Sequence, residues 1–93
     1  MDVDQSHYDD LRGKLHGLVV GLGSALTASE ASAVTDFLDV GEYGLALMTL
    51  ADIIVEEGKQ IPAEEYESIM ELARQMRMHG EINPALPTRV SPS

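Results

Sequence analysis

The chain has no cysteine and no tryptophan, only four aromatic residues, and six basic residues against sixteen acidic ones. Each shortage removes a class of protein. Without cysteine there is no disulfide framework, no thiol nucleophile and no thiolate-ligated metal. With Phe37, Tyr8, Tyr43 and Tyr66 as the only rings, the core must be built from Leu, Ile, Val, Ala and Met, a palette that favours helices over a β-sandwich. A net charge of −10 repels nucleic acid and anionic membranes and points to a basic partner. No apolar run approaches the ~20 residues of a membrane span. The opening "MDVDQSHYDD" is acidic where a signal peptide is basic, so the expected location is the cytoplasm. Ninety-three residues suffice for one small domain burying roughly 60–70% of its surface.

What is present is helical periodicity. Tyr8, Leu11, Leu15, Leu18, Val19 and Leu22 recur at the three-and-four spacing of one helix face over residues 6–22. Gly13, Gly17 and Gly21 lie four apart beside that face, either weakening the helix toward the "GLGSAL" loop or permitting a close crossing. Thr27-Ala28-Ser29-Glu30 spells a capping box, predicting a second helix to about Asp39 that buries Ala31, Val34, Phe37 and Leu38.

The stretch "DVGEYGLALMTLADIIVEEG", residues 39–58, predicts a third helix from about Glu42 to Glu57. Tyr43, Leu47, Leu50, Ala51, Ile54 and Val55 face inward, and Leu45, Ala46, Met48 and Ile53 widen the apolar surface, as in a central helix contacted from several sides. Gly58 suits the left-handed residue after its end. Ile61-Pro62 introduces a fourth helix, with Glu64 and Glu65 at its positive dipole end and Tyr66, Ile69, Met70, Ala73 and Met76 as its buried stripe. His79-Gly80 closes it. The segment "EINPALPTRVSPS" has three prolines and little periodicity, so residues 81–93 are expected to be a flexible tail, with Ile82 and Leu86 resting on the bundle. The predicted architecture is an all-α, small four-helix bundle over residues 1–80 followed by that tail.

No motif carries chemistry. His7, His16 and His79 are dispersed and in no metal-binding spacing, "DVGEYG" lacks the oxygen ligands of a calcium loop, and Ser24 sits outside any nucleophile motif. The glycines of "GLVVGLGS" have neither the lysine nor the preceding strand of a phosphate cradle. The expectation is a binder, neither enzyme nor metalloprotein, with no cofactor and, by default, monomeric.

Between Glu30 and Glu71 eleven acids stand against Lys59 alone, so this segment carries −10, as much as the whole chain. Like charges four apart on a helix, as at Asp52 and Glu56, cost a few tenths of a kcal/mol. Folding does not select that pattern. Solubility accounts for many acidic surfaces; the other reading is a surface for lysine and arginine of a partner. The candidate contacts are Asp36, Asp39, Glu42, Asp52, Glu56, Glu57 and Glu64, with Tyr43 a core residue whose hydroxyl reaches the interface rim.

Residues 30–78 resemble the MafI family of small immunity proteins. The likeness rests on Gly41-Glu42-Tyr43-Gly44-Leu45-Ala46-Leu47, Leu50-Ala51-Asp52, the acidic helix end and the Ile-Pro-Ala-Glu-Glu restart at 61–65. It implies a protein that binds the toxic C-terminal domain of a cognate effector, a basic domain such as a nuclease, and blocks it without doing chemistry itself. Family members often carry a polar residue where this chain has Met48, which implies tuning of that edge to one toxin. The same residues also look like the recognition-helix region of an acyl carrier protein, where an Asp-Ser-Leu triplet bears phosphopantetheine. Here the triplet reads Tyr43-Gly44-Leu45, and glycine has no hydroxyl to modify. That alternative therefore implies a protein-binding relative that carries no prosthetic group.

Overall fold

The computed structural model describes residues 3–92, with side chains described from Tyr8 onward. Four helices follow in order: α1 Val3–Leu22, α2 Ala28–Asp39, α3 Tyr43–Glu56 and α4 Ala63–Gln75. Among the described residues the β structure is limited to one isolated parallel bridge, Ile61 to Val90. The fold is an all-α four-helix bundle, and no described helix is long and apolar enough to cross a membrane.

Helix α1 buries Leu11, Leu15, Leu18, Val19 and Leu22, the stripe that the spacing predicts. Its glycines neither fray it nor bring a helix close at every turn. A Cβ at Gly13 or Gly17 would meet nothing within 4 Å, and only Gly21 has a close neighbour, the Glu65 carboxylate at 3.3 Å.

The start of α2 is the predicted capping box. The Glu30 backbone N–H donates to Thr27 Oγ1 at 3.1 Å, and the Thr27 N–H donates to Glu30 Oε1 at 2.9 Å. The same carboxylate oxygen lies 2.9 Å from Lys59 Nζ, in the turn after α3, and both side chains are more than four-fifths covered. The Thr27 N–H first, and Lys59 second, hold the Glu30 carboxyl below the ordinary glutamate range. Because the folded value is the lowered one, this contribution to stability is fully present above the ordinary range and is lost as pH falls from there through the lowered folded value. Glu30→Gln should therefore unfold at lower urea than the wild type near pH 7, and the gap should narrow at a pH below the ordinary glutamate range. An equal gap at both pH values would rule out the charge as its source.

Three helices end in the same hydrogen-bonded motif, in which the residue after the cap adopts a left-handed conformation. Gly41 (φ 78°) ends α2 and Gly58 (φ 64°) ends α3. At the end of α4 that place is taken by Arg77 (φ 56°), with the Met78 N–H donating to the Ala73 carbonyl at 2.8 Å. A non-glycine residue there costs on the order of 1–2 kcal/mol.

Helix α3 is the centre of the molecule. It packs against α2, α1, α4 and the 3-10 turn Leu86–Arg89, and Ala46, Leu47, Leu50, Ala51 and Ile54 are fully buried. Tyr43 and Val55, expected to face inward, are half-buried. Helix α4 buries Ile69, Leu72 and Ala73, while Tyr66, Met70 and Met76 lie at the core margin. Leu72 belongs to the i, i+3 row from Ile69, which rotates the buried face slightly from the predicted stripe.

The expected loose tail is instead docked. Ile82 and Leu86 are buried, as the sequence suggested for those two, but the backbone is fixed as well. The Ile61 N–H donates to the Arg89 carbonyl at 2.9 Å, and the Ser91 N–H to the Ile61 carbonyl at 2.8 Å. Asn83 Nδ2 donates to Asp52 Oδ1 at 3.1 Å. Residues 81–92 thus cover the side of α3 that the other helices leave open. Prolines 84 and 87 sit at 3-10 and turn positions, where a missing N–H removes no needed donor.

Candidate binding surfaces

The eight residues expected to form one interface fall into three places. Asp36, Asp39, Glu42 and Tyr43 lie where α2 turns into α3. Glu56 and Glu57 lie at the other end of α3, with Glu64 opening α4 beyond the Gly58 turn. From Glu42 to Glu57 is fifteen residues, about 22 Å along a helix at 1.5 Å per residue. The molecule measures 43 × 25 × 21 Å, so these are two separate ends and not one acidic face.

Asp52 belongs to neither. It is half-buried and accepts the Asn83 amide, whose own Oδ1 accepts the Ala85 N–H at 3.0 Å. Its carboxylate helps dock the C-terminal segment. Asp39 is exposed and lies 3.6 Å from Arg12 Nη2. Exposed pairs of this kind are worth about 0–1 kcal/mol, so Asp39 can exchange Arg12 for another cation.

Asp36, Glu42, Glu56, Glu57 and Glu64 are exposed and enter no ion pair among the described residues. Glu71, on the ridge that continues from Glu64 and Glu67, is satisfied within its own helix. Arg74 Nη2 donates to it at 3.0 Å and Gln75 Nε2 at 3.4 Å. The Arg74 bond first, then Gln75, lowers its carboxyl below the ordinary range. Of the acids expected to meet a partner, those left without cations lie toward the helix ends.

Two concavities accompany this surface. A shallow groove of about 550 Å³ runs between α1 and α4, lined by Lys14, Gly17, Leu18, Ser68, Glu71 and Arg74 among others. A smaller one of about 350 Å³ opens near the α2–α3 turn, lined by Tyr8, Gly41, Tyr43, Gly44, Met76 and Arg77. Tyr8 and Tyr43 pack there with ring centroids 6.0 Å apart at an interplanar angle of 44°. Tyr43 thus lines a groove together with Tyr8 and Arg77, aromatic and cationic neighbours that the acid-based reading did not include. Helical spacing placed Tyr8 in a core stripe, and it is 51% exposed. Nothing local in the sequence marks Arg77.

Among the described residues no group of three or more His, Cys, Asp or Glu could hold a metal ion. His16 and His79 are exposed, and the side chain of His7 lies outside the described residues. No protein-family model, curated protein or solved structure matches the chain.

Proposed function

We propose that the protein is a non-catalytic immunity protein of the cytoplasm, which binds and neutralises the basic toxin domain of a cognate effector. The observation that carries this reading is the set Glu56, Glu57 and Glu64, exposed carboxylates without ion pairs among the described residues, in a chain of net charge −10. Such a set steers a basic domain and meets its lysines and arginines at close range, where it competes with a phosphate-bearing substrate. The likeness of residues 30–78 to immunity proteins supports the same reading. The carrier-like alternative gains no support at position 44, where the residue is glycine and a Cβ would lie 3.3 Å from Met78 Sδ, closer than ordinary contact.

The test is a titration of the protein against the toxin domain encoded beside it, at several salt concentrations. Glu56→Lys/Glu57→Lys/Glu64→Lys should weaken binding about 100-fold or more and flatten its dependence on salt. Asp52→Asn, which leaves the docked side chain in place, should change affinity less than about threefold. Unchanged affinity of the triple variant would sink the proposal for this end of the molecule.

A further inference from the structure

The groove between α1 and α4 owes its shape to what α1 lacks. Gly17 lines it, and a Cβ there would meet nothing within 4 Å, so the bare backbone of α1 forms part of one wall. Leu18 and Leu72, both buried, supply apolar surface from the two helices. Along α4 the lining runs from Glu65 to Arg74, nine residues or about 14 Å of helix. A trough of that length between two packed helices is the seat of a third helix.

The charges select its occupant. Both cations of the groove are already matched, Lys14 by Asp10 and Arg74 by Glu71, each at 3.0 Å. Glu65 and Glu67 also line it, and neither enters an ion pair among the described residues. Glu65 is the more unusual of the two. It is half-buried, and its carboxylate lies over the last turn of α1, 3.3 Å from where a Cβ on Gly21 would stand. The first turn of α4 suits a carboxylate, but the last turn of α1 does not, and that turn contains no basic residue. The carboxylate and the negative end of α1 therefore share one corner without a cation.

An acidic occupant would have to break both ion pairs and would still face Glu65 and Glu67. A second copy fits no better, because each of the four helices of the chain holds more acids than bases. We propose that the α1–α4 groove is a docking site for a basic amphipathic helix of another protein. Small residues of that helix pack against Gly17, and a lysine or arginine takes the corner between Glu65 and Gly21. The site requires only a basic helix, so it stands whether or not the partner is a toxin.

The test uses a synthetic peptide of about 16 residues, with alanine and leucine on one helical face and lysine on the other. It is titrated into the isotope-labelled full chain and followed by amide NMR. Shifts should concentrate at Gly17, Gly21, Glu65 and Ser68, and a matched peptide with glutamate in place of lysine should produce none. Glu65→Gln/Glu67→Gln should weaken binding about fivefold or more. Gly17→Leu is the sharper variant. Leucine is the better helix former, so the protein should unfold at higher urea than the wild type while the filled groove loses the peptide. Shifts centred on Glu56 and Glu57, affinity unchanged in both variants, or no binding at about 1 mM peptide would each overturn the proposal.

Discussion

Leu86→Ala should destabilise the protein by about 3 kcal/mol, within the 2–5 kcal/mol typical of a buried leucine truncated to alanine. Leu86 is 0% exposed and sits in the 3-10 turn that packs on α3. Alanine there removes the buried isobutyl group and leaves a cavity against α3, which is packed on by the three other helices. In a domain of this size a loss of ~3 kcal/mol lowers Tm by roughly 12–24 °C. Urea unfolding followed by circular dichroism would measure it. A second variant that ends the chain after Glu81 should do at least as much damage, since it removes Ile82 and the partner of Ile61 together with Leu86. If residues 81–92 were a loose tail, both changes would alter stability by less than ~0.5 kcal/mol. The two descriptions of the C-terminus differ by several-fold in an ordinary experiment.

That segment also shows where sequence reading stopped. The capping box at Thr27 and Glu30 was legible because both partners lie within one turn, and Gly58 because a left-handed residue after a helix is a local demand. The last dozen residues offer no such cue. Short 3-10 turns and a single bridge have no periodicity, and the residues that fix them are remote. The backbone of Ile61 pairs with Arg89 and Ser91, and Asn83 is placed by Asp52, thirty-one residues earlier.

The candidate site follows the same rule. Composition identified the acids, and the structure decided which of them are occupied. Asp52 was spent on the C-terminal segment and Asp39 faces Arg12, while Glu56, Glu57 and Glu64 were left to solvent. Charge counting along the chain treats these as equal, because it contains no information about the cation or amide that arrives from another helix. Arg77 was missed for a related reason. A residue in a glycine's place reads as an ordinary surface arginine until the helix end is seen.

Leu47→Ala and Leu45→Ala should differ sharply, although the two leucines are two residues apart on the same helix. Leu47 is 0% exposed in the face of α3 that the other helices enclose, and its truncation should cost about 3–4 kcal/mol. Leu45 is 43% exposed near the turn, and its truncation should cost under ~1 kcal/mol when measured on dilute protein. Two residues along a helix turn the side chain by about 200°, so adjacent leucines in "LAL" can point into the core and away from it. The apolar run was broad enough that the sequence put Leu45 beside the buried face. Its exposure shows that the central helix is enclosed along most of its length but open at its first turn, where Val40 and Tyr8 are exposed too. A comparable loss for both variants would mean that this end of the helix is covered in the folded chain.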